Sequence, residues 1–157
     1  MSQFTKLNEK FGIINFPVTI AEMEQILLEF PKTERKFYEF ALKALKKVMK
    51  TDEKIYSFEV ADPKLTKTGF VVVAEHNLIF LTMKGGLFGG ANAEVVKYTD
   101  IKSVDFDIIE GPLGISFMNT GILYLHLKGV FGGKKRTVRN IPDYNLDSVI
   151  KAIRERI

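Results

Sequence analysis

Cysteine is absent from this 157-residue chain, which excludes disulfides, thiolate catalysis and cysteine-ligated metals together. Histidine is scarce: His76 and His126 are the two, and neither stands at a ligand spacing such as His-Glu-x-x-His. Long apolar runs are missing as well. The most apolar stretch, FVVVAEHNLIFL, is cut in half by Glu75, His76 and Asn77, and no window approaches the ~18 apolar residues of a membrane span. The first twenty residues, MSQFTKLNEKFGIINFPVTI, lack the unbroken apolar core of a signal peptide, so a cytoplasmic protein is expected. No Gly-x-Ser-x-Gly elbow occurs, and no acid, base and nucleophile are assembled in sequence. The expectation is a protein that is not an enzyme and uses no cofactor and no metal.

Charge of one sign is also thin. The net charge of +4 permits contact with anionic partners but falls short of the dense basic field of a nucleic-acid binder. Residues 1–50 carry nine Lys/Arg against six Asp/Glu, and the rest of the chain carries fourteen against thirteen. The short basic run KKRTVR (134–139) has Phe131 as its one adjacent aromatic, too little for the stacked groove of a single-strand binder. Nucleic acid is not an expected partner.

What is present is a core. Hydrophobic content of 46% and charged content of 27% are ordinary for a globular domain, and the length suits one domain, with or without a small appendage. The first third reads helical. Thr19-Ile20-Ala21-Glu22 has capping-box spacing, and Ile20, Met23, Leu27 and Phe30 recur on one face until Pro31. Thr33 can cap a second helix over about 34–50. On it Lys36, Lys43, Lys47 and Lys50 gather on one side, and an apolar arc of about 200° covers the other. So wide an arc predicts two packing partners: the chain's own domain, and either the first helix or another subunit.

From residue 54 the period becomes that of strands. IYSFEV, TGFVVVA, LIFLTM, AEVVKY, IKSVDFDI, GILYLHLK and KKRTVRN make seven, with Glu75-His76-Asn77 as a tight hairpin. Val104, Phe106 and Ile108 alternate with Ser103, Asp105 and Asp107. Leu123, Leu125 and Leu127 point inward, while Tyr124, His126 and Lys128 point outward, where an acidic residue across the sheet can meet His126. Asp105 and Asp107 share a face able to hold a cation, although such a pair is ordinarily a polar outer surface. After Pro142-Asp143 a closing helix carries Leu146, Val149, Ile150, Ile153 and Ile157 on one face. Antiparallel strands ending in one helix fit a barrel or packed sheets plugged at one end.

These segments resemble the bacterial pleckstrin-homology (PH)-like domains, the YokE-like type in particular. The resemblance rests on TGFVVVAEHNLIFLTMK (68–84), IKSVDFDI (101–108), GILYLHL (121–127) and above all RNIPDYNLDSVIKAI (139–153), where a last strand gives way through Asn-Ile-Pro to a helix. It departs at Ala74-Glu75-His76-Asn77-Leu78, where members often carry a Thr-Asn-Lys-Arg-Leu type turn. The resemblance implies an α+β fold: a PH-like seven-stranded antiparallel barrel over 54–157, capped by a C-terminal helix and preceded by an N-terminal helical segment, 1–53. It also implies self-assembly, which is common in such families.

Two near-repeats, KGGLFGG (84–90) and KGVFGG (128–133), lack the Gly-Lys-Ser/Thr and following helix of a phosphate loop. In a PH-like barrel they would share one end with 61–67. Leu87, Phe88, Val130 and Phe131 would then either fold over the barrel mouth or stand as an apolar tip, ringed by Lys64, Lys67, Lys84, Lys134, Lys135 and Arg136. The expected role is a non-catalytic interaction module that forms a homo-oligomer or contacts another protein. The alternative is peripheral binding to an anionic membrane surface.

Overall fold

The computed structural model describes residues 14–85, 89–115, 119–129 and 133–157. Two helices open it, α1 (Ile20–Leu27) and α2 (Lys32–Lys46), followed by β1 (Ile55–Lys64), β2 (Lys67–Ala74), β3 (Asn77–Lys84), β4 (Gly90–Lys97), β5 (Ile101–Ile109), β6 (Thr120–Leu127) and β7 (Lys134–Pro142), and then α3 (Asp143–Arg154). The seven strands form one antiparallel sheet in the order β4-β3-β2-β1-β7-β6-β5.

Thr19 caps α1 as its spacing predicts, its hydroxyl accepting from the Glu22 amide at 3.2 Å. The second helix starts earlier than expected. Pro31 is its N-cap, with no side-chain hydrogen bond, and Thr33 lies inside the first turn. A proline just before a helix supplies the extended entry that a hydroxyl cap would otherwise stabilise. The wide apolar arc of α2 is satisfied within the chain. Tyr38, Ala41, Leu42, Ala44 and Leu45 are all buried, in one cluster with α1 residues Met23 and Leu27 and sheet residues Phe58, Phe70, Val72 and Leu81.

The same strands present their other face to a second cluster, where Val71, Val73, Leu78 and Phe80 meet Val104, Leu123, Leu125, Val138 and α3 residues Leu146, Val149 and Ile153. β1–β3 is therefore covered on both faces, which is why FVVVA reads as a continuous apolar run rather than an alternation. Tyr98, in the short 3-10 turn after β4, donates its hydroxyl to the Ala74 carbonyl. Burial pushes that phenol up.

Two expectations about inward faces change. Ile157 lies beyond the end of α3 and is exposed. On β5 only Ile101 and Val104 are buried, while Phe106, Ile108 and Ile109 remain 42%, 46% and 48% exposed. β5 is an edge of the sheet, and α3 reaches it at Val104, whose carbonyl accepts from Arg154 at 3.0 Å. Phe106 keeps the facing that its period predicts but lies past the helix that would bury it.

Candidate functional site

Strand register brings the three predicted loop stems to one end. The closing pairs are Lys64↔Lys67, Lys84↔Gly90 and Leu127↔Lys134, and β1 joins β7 at Asp62↔Arg139. Arg136 ties this end together. Its guanidinium forms a two-pronged pair with the Glu94 carboxylate, donates to the Pro63 carbonyl at 3.4 Å, and lies 4.6 Å from the centre of the Phe80 ring. The hydrogen bonds from Arg136, with the nearby charges of Arg136 and Lys64, hold the Glu94 carboxyl below the usual carboxylate range despite some burial. Arg136 thus joins β1, β4 and β7 across the barrel mouth, a use that planar, bidentate arginine serves better than lysine.

The remaining cations form separate groups rather than one converging ring. Lys64, Lys67, Lys84, Lys134 and Lys135 are exposed, and none is in an ion pair among the described residues. Lys84 shares a cleft of about 190 Å³ with Gly89, Gly90, Phe40, Lys43 and Lys47, so the basic face of α2 runs into the rim. Lys134 and Lys135 line an outer-face depression with Lys102, Ser103 and His126, and the Lys135 amine sits 4.3 Å above the Tyr124 ring. Leu87, Phe88, Val130 and Phe131 lie outside the described residues.

The glycines flanking those phenylalanines have specific tasks. Gly89 has φ +42° and a Cβ there would lie 2.7 Å from the Phe40 ring. Gly133 has φ +75° and a Cβ would lie 2.2 Å from the Leu127 carbonyl oxygen. Both are sites where only glycine combines a left-handed backbone with close approach, so one glycine of each Phe-Gly-Gly is set by loop-stem geometry.

Sequence reading missed three features. The first is the uncovered apolar stretch of β5. The second is Glu59, buried on β1, whose two carboxylate oxygens accept from Asn145 of α3 at 2.6 and 3.1 Å. Burial, opposed by that hydrogen bond, pushes its carboxyl up to about 7. The third is the row Ser103–His126–Lys135 across β5, β6 and β7, whose members sat on outward positions but could be joined only once register was known. Asp105 does meet His126, Oδ2 to Nε2 at 3.2 Å. Among the described residues no group of three or more His, Asp or Glu is placed to hold a metal ion, and no helix is long and apolar enough to cross a membrane.

An antiparallel sheet of seven strands closed by a C-terminal helix is the architecture of a PH-like domain. The Bacterial PH domain family matches residues 49–155, and the chain belongs to that family. It is 54% identical over 155 residues, 98% of this chain and 97% of the relative, to the SPbeta prophage-derived uncharacterized protein YokE of Bacillus subtilis (strain 168). Among solved structures, it aligns with a pleckstrin homology domain from Shewanella amazonensis SB2B at 15% identity and TM-score 0.44, covering 73% of this chain and 95% of that one. It aligns with the hSac2 domain of the human phosphoinositide phosphatase Sac2 at 10% identity and TM-score 0.50, covering 82% and 84%. That second likeness is one of fold.

Proposed function

We propose that the chain is a non-catalytic interaction module acting through protein–protein contact, in the first place with copies of itself. The observation that carries this is the β5 edge. Phe106, Ile108 and Ile109 are half-exposed on a strand whose one paired neighbour among the described residues is β6, and Leu113 just beyond is 98% exposed. Edge strands are ordinarily blunted by lysine, proline or a covering helix, and here the cover stops at Val104. The wide arc of α2 no longer speaks for assembly, because α1 occupies it.

Light scattering at two concentrations tests the reading. The expected result is a mass above the monomer that falls when Phe106 and Ile108 are both changed to Ser. A monomer mass at both concentrations overturns it.

A second reading, attachment to an anionic membrane surface, is favoured by the exposed rim lysines, none of which is in an ion pair among the described residues. Each well-placed cation adds roughly 1 kcal/mol there. Sedimentation with phosphatidylglycerol vesicles at low salt should then depend on Lys64 and Lys67, and a protein left in the supernatant at low salt excludes it.

A further inference from the structure

We propose that the outer face of β5–β6–β7 carries a binding site for a phosphate monoester group, held by Lys102, Ser103, His126, Lys134 and Lys135. This goes beyond the contact reading, since Lys102, Ser103 and His126 belong neither to the exposed β5 apolar stretch nor to the rim.

Solvated lysines are ordinary on an outer strand face, but this face is arranged. Antiparallel register sets Ser103, His126 and Lys135 directly opposite one another on three successive strands. The register shift between Ile101 and Ser103 places Lys102 at a bulge, a device that re-aims a side chain. Lys134 opens β7 one residue before Lys135, and Gly133 presents bare backbone beside them. These residues, with Leu127, line a depression of about 280 Å³.

The electrostatics favour a doubly charged anion. Lys102, Lys134 and Lys135 have no ion-pair partner among the described residues, whereas Arg136 is committed to Glu94. The Lys135 amine sits 4.3 Å from the centre of the Tyr124 ring on the same face. Asp105, on the same face two residues from Ser103, is paired with His126 Nε2 at 3.2 Å, and Nδ1 has no hydrogen-bond partner among the described residues. Three ammonium groups and the Ser103 hydroxyl match the charge and the acceptor oxygens of a phosphate monoester, which carries close to two negative charges at neutral pH, and His126 adds a donor at Nδ1 only as the imidazolium. A diester offers one charge and fewer free oxygens.

The group can come from a soluble phosphate ester or a lipid headgroup, and two arms separate them. In the first, amide spectra of the full-length ¹⁵N-labelled chain are recorded during titration with glycerol 3-phosphate at fixed ionic strength. Saturable shifts at Ser103, His126, Gly133 and Lys134 are expected, with Kd on the order of 1 mM, weakened at least about tenfold in Lys102→Ala/Lys134→Ala. Ser103→Ala, a change too small to threaten the fold, should also weaken binding. In the second arm, vesicles containing phosphatidic acid, a monoester, are compared with phosphatidylglycerol, a diester. Sedimentation with phosphatidic acid alone, lost in the double variant, assigns the lipid source. Saturable glycerol 3-phosphate binding without that preference assigns a soluble one. Linear shifts reproduced by chloride, or binding indifferent to both variants, overturn the site when vesicles also fail to discriminate. The Phe106→Ser/Ile108→Ser protein should bind phosphate normally even where its self-association is lost, so the two readings fail separately.

Discussion

Glu59 is the residue at which local chemistry most directly controls stability. It occupies a strand position where alternation places it among buried groups, and Asn145 is the hydrogen-bond partner seen for its carboxylate. Its carboxyl is raised from 4.5 to about 7, first by burial and with partial relief from Asn145. Between those values the folded chain keeps a proton that the unfolded chain has released. The proton-linked stability is therefore full below about pH 4.5 and is lost as pH rises through about 7, on the order of 3 kcal/mol in all. Glu59→Gln keeps an acceptor for Asn145 and cannot ionise. At pH 8 it should melt higher than the parent by roughly 5–10 °C, and the two should converge near pH 5. Scanning calorimetry at the two pH values checks this, and a variant that melts lower at pH 8 would mean the carboxylate has a charge partner. The sequence shows a glutamate in IYSFEV but not that α3 returns to cover it, since Glu59 and Asn145 stand 86 positions apart and nothing local signals their meeting.

At the scale of elements, periodicity located the seven strands and three helices of the described residues, and it failed where neighbours decide burial. β6 and β5 make the contrast. Leu123 and Leu125 are wholly buried as their alternation predicts, because α3 and both sheet neighbours cover β6. Phe106 and Ile108 follow the same period on β5, but their strand ends the sheet and α3 meets it only near Val104. Alternation reports which way a side chain points, not whether anything stands there. Leu125→Ala should therefore cost about 2–5 kcal/mol, and Phe106→Ser less than about 1 kcal/mol in the monomer. Urea unfolding of both variants at low protein concentration checks the ranking, and a Phe106→Ser cost as large as that of Leu125→Ala would mean this stretch is core. The candidate site had the same limit: the basic residues were legible one by one. Their division into the Arg136–Glu94 tie, the Lys84 cleft and the outer-face depression came from strand order.

For the whole molecule, the relation of the helical first third to the barrel is the decisive matter. The family match begins at residue 49, which makes 51–157 an inviting fragment. Packing argues against its independence. The sheet face formed by Phe58, Val60, Phe70, Val72, Ile79 and Leu81 is buried in the same cluster as Met23, Leu27, Tyr38 and Leu45 of the helices. Val18 bridges to Ile55 through two backbone hydrogen bonds, at 3.0 and 2.6 Å. Glu53 fastens the junction from the other side, accepting from the Lys50 and His76 amides and so tying the helix exit to the β2–β3 turn. Removing residues 1–50 would expose a contiguous apolar face made of six large side chains, well beyond the patch a soluble monomer ordinarily tolerates. The fragment 51–157 should aggregate on purification, or bind a hydrophobic dye while keeping strand circular dichroism and losing a cooperative melt. A fragment that stays monomeric and melts cooperatively near the parent temperature would show that the barrel core around Leu123, Val138 and Leu146 suffices alone, and that the helices are an addition to the domain rather than one of its layers.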